Sequence, residues 1–275
     1  MSKIQKYVIY VLLGLLLLGM VFYGEKAYIQ AIAYEDATTK LVALQGVEEQ
    51  ASRQLENFAK SILGNLFNDK REMNFVQIKE QQQYAMQEAQ VFTRYFMYLL
   101  GAVLLSFFAV SLRSFTLVGS MAAMIALILG LFTPVLMVTI HKEVEYIGDI
   151  VLSFESKGVV GSILKLFDSG DVVVALVILL FSVIVPVLKV FSLLFISLFM
   201  ESDFAHKIVK FFKMIGKWSM VDVFVVAVFL VYLTANKGDV SRAQVEVGLY
   251  FFLAYVIVSM LVSISADKML QQLKA

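Results

Sequence analysis

Six apolar runs with almost no charged side chains dominate this sequence of 275 residues. A transmembrane helix needs about 20 mainly apolar residues to cross roughly 30 Å of hydrocarbon. The runs cover residues 7–23, 95–112, 115–140, 172–200, 218–234 and 247–266. The chain is 16% charged, whereas soluble domains are about 25% charged. The sequence therefore predicts an all-α, polytopic membrane protein with six transmembrane helices, and it argues against a soluble enzyme.

Lysine and arginine in the short loops predict that both termini are cytoplasmic, because cytoplasmic loops carry an excess of positive side chains. The inner segments would hold Lys3, Lys6, Arg113, Lys207, Lys210, Lys213, Lys217, Lys268 and Lys274. The short outer loops would hold Lys142, Lys157, Lys165, Lys237 and Arg242. The first run also has features of a signal peptide, with an alanine-rich site near residues 31–33. Its apolar part exceeds the roughly 7–15 residues of a signal core, which favours an uncleaved anchor.

Residues 24–94 form the longest polar stretch and are predicted to lie outside the cytoplasm. The stretch contains no proline and is rich in Gln, Glu, Ala and Lys. Apolar side chains recur at helical spacing from Leu41 to Ile62 and from Phe75 to Phe96, on either side of a turn-like segment at residues 64–69. The pattern predicts an extracytoplasmic helical hairpin between the first two spans. Its apolar seam is a core in the simpler interpretation and a partner-docking groove in the alternative.

Two shorter amphipathic stretches are predicted to lie flat on the membrane. One has a basic face, typical of an interfacial helix against anionic lipid, formed by Lys207, Lys210, Lys213 and Lys217. Topogenic charge alone also explains these lysines. The other lies on the outer side and has apolar residues at Val144, Ile147, Val151 and Phe154.

Two ionisable residues inside apolar runs are the leading candidates for a functional site. Lys189 follows Pro186 in the fourth run, where a proline removes a backbone donor and opens or kinks a helix. Asp222 lies one turn after Trp218 and Ser219 in the fifth run. A charged residue at such a depth costs about 2.5–3.5 kcal/mol and usually marks a pathway or an interior partner. Both side chains can reach the same interface, either as a structural ion pair or as a site for a lipid headgroup or a proton.

Other kinds of chemistry find little support in the sequence. Cysteine is absent, which excludes disulfides, thiolate nucleophiles and cysteine-based metal sites. In the predicted topology His141 and His206 lie on opposite sides of the membrane and cannot share a metal. A net charge of +1 gives no basic stripe for nucleic acid, and no catalytic triad or phosphate-binding loop is visible. We therefore expect no enzymatic activity, cofactor or bound metal.

Pro134 is predicted to bend the third span, around a cavity or as a packing kink.

Four ordered motifs carry a resemblance to a known family. They are Gly-Leu-Phe-Thr-Pro at residues 130–134, Leu-Phe-Asp-Ser-Gly at 166–170, Val-Pro-Val-Leu-Lys at 185–189, and Lys-Trp-Ser-Met-Val-Asp-Val-Phe-Val-Val-Ala at 217–227. From about Arg113 onward the chain resembles the paraquat-inducible protein A family of bacterial inner-membrane proteins. The last motif is the most specific, because it is similar to the family's Trp-Ser-Met-x-(Asp/Glu)-Val-Phe signature.

The resemblance implies a four-helix membrane module at residues 113–275, preceded by a distinct part at 1–112 that contains the hairpin. It also implies work with MCE proteins, periplasmic assemblies that carry phospholipid between membranes. Well-known members have two such modules and Cys-x-x-Cys zinc ribbons, whereas this chain has one module and no cysteine. Zinc binding is therefore not carried over. A single module suggests a homodimer that recreates the missing half.

The leading hypothesis is a lipid-transport subunit of the bacterial inner membrane that hands phospholipid to or from an MCE protein. Its cavity would be lined near Lys189, Asp222, Pro186, Pro134, Trp218 and Ser219. Two alternatives stay open. A membrane sensor would use the hairpin for sensing and would need a separate signalling partner. An ion or small-solute transporter would use the two intramembrane charges.

Overall fold

A computed structural model describes residues 3–44, 69–144, 148–198 and 241–272. The helices, numbered in chain order, are α1 Lys3–Leu44, α2 Asp69–Leu105, α3 Leu112–Phe132, α4 Val159–Asp168, α5 Val172–Leu179, α6 Val185–Leu198 and α7 Val247–Gln272. The strands are β1 Leu136–Val144, β2 Gly148–Lys157 and β3 Ser241–Val245. A short 3₁₀ turn, Ser106–Phe108, follows α2, and a π-helical segment, Leu180–Ile184, joins α5 to α6.

Five helical segments in the described part of the chain are long and apolar enough to cross a membrane. They are Tyr7–Ala43, Asn74–Phe108, Leu112–Phe132, Val172–Leu198 and Val247–Met269. Each contains or overlaps one of the apolar runs, which confirms a multi-pass membrane protein. The run at residues 218–234 lies outside the described residues, so the count of six spans stays a prediction.

Helices α1 and α2 pack against each other in opposite directions. A Cβ at Gly19 would lie 2.9 Å from Leu99 Cδ1. The Tyr23 ring lies against Phe92 and Tyr95, and Gln82 Nε2 donates to Thr38 Oγ1 at 2.7 Å. Position numbers rise on α1 as they fall on α2, which identifies an antiparallel pair. Residues 45–68 lie outside the described residues, so the connecting turn of the predicted hairpin stays a prediction.

Helices α3 and α7 form the tightest helix contact of the region that follows. A Cβ at Gly130 would lie 2.7 Å from the backbone nitrogen of Phe252, so only glycine permits this approach. The neighbouring Phe251 packs edge-on against Phe96 of α2, with ring centroids 4.9 Å apart. Helix α7 thus joins the antiparallel pair to the rest of the fold.

Contacts along α1 define two levels of the fold. Near its start, Tyr10 Oη is hydrogen-bonded to Ser114 Oγ at 2.9 Å. Further along, Ala31 packs with Ala89 and Val247. The helix rises about 1.5 Å per residue, so Tyr10 and Ala31 are separated by roughly 32 Å, close to the thickness of the hydrocarbon. We call these two levels the Ser114 end and the Val247 end.

A three-stranded antiparallel sheet of order β2-β1-β3 lies at the Val247 end. In β1, Leu136 pairs with Lys157 of β2 and with Val245 of β3. The register between β1 and β2 shifts at Ile140/His141, which marks a β-bulge. The described chain is mainly helical, which confirms the all-α prediction for the spans, and this small sheet is a local exception to it.

Two sequence predictions fail for the same reason. The third span ends at Phe132 and does not continue to residue 140, because β1 takes up the following residues. The outer amphipathic stretch is not a helix: Val144 is in β1, and Val151 and Phe154 are in β2, while residue 147 lies outside the described residues. Strand β1 contains two Val, one Ile and one Thr in nine residues, residue types that favour a pleated sheet, whereas β2 contains only one Ile, one Val and one Phe in ten.

The predicted bend at Pro134 is also wrong. Thr133, the residue that follows α3, has an extended backbone with ψ 143°. A residue before proline is disfavoured in the α region, because the proline ring collides with its backbone. Pro134 therefore ends the helix and starts the turn into β1.

Candidate functional site

Lys189 lies in α6, with 9% of its surface exposed. The depth of α6 is fixed by Arg113, whose Nε donates to the carbonyl of Ser197 at 3.1 Å and whose Nη2 donates to the carbonyl of Leu198 at 3.3 Å. Ser197 Oγ donates in return to the carbonyl of Arg113 at 3.2 Å. The end of α6 is thus held at the Ser114 end. Lys189 lies roughly 12 Å deeper along the helix, within the hydrocarbon layer.

The helix is irregular directly before Lys189. The Leu180–Ile184 segment is π-helical, and the N–H of Val185 donates to the carbonyl of Leu180. Pro186 has no N–H, so the carbonyl of Ser182 loses the donor that an α-helix would provide. Such π-helical insertions are frequently found at functional sites. The sequence prediction that a proline opens the helix next to the lysine is consistent with this geometry.

The two faces of α6 differ in their surroundings. On one side Val190 and Leu193 belong to the main apolar core, together with residues of α3 and α7. On the other side, when only the described residues are counted, Leu188 is 55% exposed and Phe191 is 56% exposed. Lys189 therefore lies between a packed interior and an apolar surface.

The remaining predicted site residues are not brought to the same place. Asp222, Trp218 and Ser219 lie outside the described residues, as do Lys207, Lys210, Lys213, Lys217 and His206. Pro186 lies one turn from Lys189, as the sequence requires. Pro134 lies about 30 Å along α3 from Ser114, at the Val247 end, and so at a different depth from Pro186.

A second polar site, which the sequence analysis missed, surrounds Glu246 between β3 and α7. The backbone N–H of Glu246 donates to the carbonyl of Val135 at 3.0 Å, and that of Gly248 donates to the carbonyl of Pro134 at 2.9 Å. A Cβ at Gly248 would lie 2.4 Å from the Thr133 carbonyl oxygen, so the close approach depends on glycine. These contacts join the start of α7 to the turn after α3.

The side chains at this turn are buried without hydrogen bonds. Glu246 is 2% exposed and Thr133 is 0% exposed. Glu246 Oε1 and Thr133 Oγ1 have no hydrogen-bond partner among the described residues. An unpaired buried polar group costs about 1–3 kcal/mol, and a charged one costs more. The site is therefore held at an energetic cost.

The electrostatics at Glu246 favour the protonated carboxyl. Burial, and secondly the negative charge of Glu35 on α1, raises the pKa of Glu246 from 4.5 to about 7. The hydroxyl of Tyr34, also on α1, lies close enough to Glu246 for the charge of the carboxylate to act on it. One weak signal for this site is visible in the sequence, a glutamate directly before the last apolar run.

Comparison with known proteins identifies the family of the part that contains both sites. The sequence model for paraquat-inducible protein A matches residues 113–272, more than half of the chain. The chain belongs to the paraquat-inducible protein A family. The match begins in α3 and ends with α7, and it includes Lys189 and Glu246. Helices α1 and α2 lie outside it.

A curated relative matches a shorter part of the chain than the family model does. A protein of Haemophilus influenzae named "probable intermembrane transport protein" is 27% identical over 117 residues, which cover 40% of this chain. The match covers 28% of that relative, well under two thirds of its length. No solved structure matches the chain significantly.

Proposed function

We propose that this protein is a non-enzymatic subunit of a phospholipid transport system in the bacterial inner membrane. It would hand lipid to or from an MCE-type periplasmic partner, with both of its termini in the cytoplasm. Family membership and the name of the relative support a role in membrane transport. The observation that carries the step to lipid is Lys189, a buried lysine about 12 Å below the Ser114 end.

The chemistry of Lys189 suits a lipid headgroup. Phosphate is recognised by charge-assisted hydrogen bonds, and lysine supplies a positive charge with three donors. The flexible side chain is long enough to extend toward the interface while its stem stays in apolar surroundings. The irregular turn around Pro186 adds a backbone carbonyl without its helical donor. The phosphate would pair with the lysine, whereas the carbonyl, which only accepts hydrogen bonds, would pair with a donor group of the lipid.

Acyl chains would lie along the neighbouring apolar surface. This face of α5, the π-helical segment and α6 includes exposed apolar side chains at Val173, Val177, Leu180, Ile184, Leu188 and Phe191. Every membrane protein presents apolar surface to lipid, so these residues alone do not indicate transport. Their position beside a buried lysine is what distinguishes them.

Crosslinking from Leu188 tests this proposal. A photoreactive amino acid at Leu188 should capture phospholipid in native membranes, and Lys189→Met should reduce the yield several-fold, with Lys189→Arg retaining most of it. A probe at Leu15 of α1, which is 60% exposed, is the control for contact with bulk lipid. The yield of lipid adducts at Leu15 should be the same in the wild type and in Lys189→Met. Equal yields from Leu188 with and without the lysine, in a protein of unchanged abundance, would contradict the proposal.

Partner identification is a separate test. We expect gentle extraction from the native membrane to recover an MCE protein together with enriched phospholipid. Native mass spectrometry of the same sample would show whether two copies associate, as a single module suggests. Recovery of a signalling protein without MCE protein or lipid would favour the sensor hypothesis instead.

A further inference from the structure

Helices α1 and α2 meet the family region at the Val247 end through small, buried side chains. We call this contact the junction, and it consists of two buried clusters: Ala31, Ala89 and Val247 in one, and Tyr34, Ala85 and Met137 in the other. The members come from α1, α2, β1 and α7. Three of the six are alanines, so the contact is close but buries little side-chain area. A contact of this kind is sensitive to a change at its border.

Glu246 lies directly at this border, one position before Val247. Its backbone is fixed by the Val135 carbonyl, and its side chain is buried with one carboxylate oxygen unpartnered among the described residues. The Thr133 hydroxyl beside this turn is also unpartnered in the described part. An ionised carboxylate in such surroundings is costly unless it is paired. The packed junction therefore favours a neutral side chain at Glu246.

We propose that Glu246 is a proton-binding site that controls the junction. The packed arrangement holds the protonated carboxyl. Release of the proton separates the α1–α2 pair from the sheet and the start of α7. The proton moves between the Glu246 carboxyl and water, so no further reactant is needed. This inference does not depend on lipid as the transported substrate.

The groups around Glu246 support the direction of this switch. From α1, Glu35 contributes a negative charge that acts on Glu246, and Tyr34 contributes a hydroxyl. From α2, the junction receives Ala85 and Ala89, which carry no charge. From the turn after α3 it receives the Thr133 hydroxyl. Opening would let water reach the carboxylate and increase its distance from Glu35.

The strands carry the other titratable residues near this end. His141 and Lys142 are on β1 and Arg242 is on β3, where Arg242 pairs in register with Thr139. All three lie further along the strands than the Leu136–Val245 pair that borders the junction. Lys157 on β2 pairs with Leu136 and so lies at the level of this border pair. Among the described side chains, the charge that acts on Glu246 in the packed state is that of Glu35.

The pKa gives the pH range of the switch. In the packed state the pKa of Glu246 is raised to about 7, whereas an exposed glutamate has its ordinary value of 4.5. The packed state is most favoured below pH 4.5, the ordinary pKa of glutamate. It becomes less favoured as the pH rises to about 7, the pKa of Glu246 in the packed state. Each pKa unit corresponds to a factor of ten, so the closing equilibrium weakens by about 300-fold over this range.

Distances between spin labels test the switch directly. The chain has no cysteine, so Tyr84→Cys on α2 and Leu164→Cys on α4 provide two unique labelling sites. These residues are 62% and 60% exposed. We expect one distance population at pH 5 and a growing second population up to pH 8, measured by double electron–electron resonance in nanodiscs. Glu246→Gln should keep the pH 5 distance throughout.

Matched variants separate this mechanism from a general effect of pH. Glu80→Gln removes an exposed carboxylate from α2 and should leave the pH response intact. Glu35→Gln should make the pH response smaller and end it at a lower pH, because removal of the like charge lowers the packed-state pKa of Glu246. A distance distribution that does not change with pH, or an unchanged pH response in Glu246→Gln, would overturn the proposal.

Hydrogen exchange provides a test that needs no variant. The amides of Glu246 and Gly248 are bonded across the turn, whereas the amide of Thr133 is bonded to Leu129 at the end of α3. Both bonds lie on the sheet side of the junction, and opening exposes them to water without breaking them directly. After correction for the intrinsic pH dependence, protection of these two amides should therefore fall from pH 5 to pH 8. Protection of the Thr133 amide should not. Equal behaviour of all three amides would contradict opening at the junction.

Discussion

Replacing Glu246 with glutamine should make the packed protein more stable at neutral and alkaline pH. The carboxyl has a pKa of about 7 when buried, against 4.5 as its ordinary value. This difference of about 2.5 units, at about 1.4 kcal/mol per unit, corresponds to about 3 kcal/mol. Glutamine has nearly the same shape and carries no charge at any pH. The variant should therefore avoid the cost of an ionised buried carboxylate.

The sign of the effect depends on pH. Below pH 4.5 the glutamate is protonated in both the packed and the unfolded state, so wild type and variant should have similar stability. From pH 4.5 to 7 the unfolded state loses its proton first, and the wild type becomes progressively less stable than the variant. Above pH 7 the difference should be constant at about 3 kcal/mol. Asparagine would not be an equivalent replacement, because its shorter side chain leaves a cavity.

Thermal unfolding in detergent measures this prediction. Wild type and Glu246→Gln should have similar midpoints at pH 4.5 and diverge at pH 8, where the variant should unfold at the higher temperature. Glu80→Gln, on an exposed part of α2, is the matched control and should follow the wild type. A variant that is less stable than wild type at pH 8, or a difference that does not change with pH, would refute the reasoning.

Three further predictions follow from other contacts. Gly130→Ala should destabilise the protein by about 1–3 kcal/mol in thermal unfolding, because the new Cβ meets the Phe252 backbone. The control is Gly101→Ala, which should be neutral or slightly stabilising because no described atom lies within 4 Å of the new Cβ. Arg113→Gln should cost about 1 kcal/mol in the same assay, because it weakens the link to the end of α6. Lys189→Met should leave membrane abundance unchanged, measured by immunoblot, while the yield of lipid adducts at Leu188 falls several-fold; lost abundance would indicate a structural role instead.

The membrane spans could be predicted from the sequence because their cause is local. A run of apolar residues of sufficient length has few alternatives in lipid, since a helix satisfies its own backbone hydrogen bonds. Five described segments confirm this rule. The same reasoning failed between residues 133 and 144. There the apolar run continues past Pro134, and composition alone does not distinguish a helix from a strand. The three valines, one isoleucine and one threonine in residues 135–144 were the available signal.

The two candidate sites differ in how far the sequence reveals them. Lys189 is conspicuous because a charge within an apolar run is rare, and its burial agrees with that expectation. Glu246 is inconspicuous because a glutamate beside a span is ordinary. Its burial arises from α1 and α2, which are distant in sequence, and from the turn at Thr133. No local pattern contains that information.

Helix α3 connects the two sites physically. Its first turn carries Arg113, which holds the end of the helix that contains Lys189, and its last residue is followed by Thr133, which lies beside the Glu246 turn. Between these ends Gly119 and Gly130 bring α3 into close contact with α7. A closely packed helix pair moves as a unit more readily than it deforms, because protein interiors have low compressibility. Movement of α7 on release of the Glu246 proton would therefore reach α6 through α3 and not through the apolar surface that faces lipid.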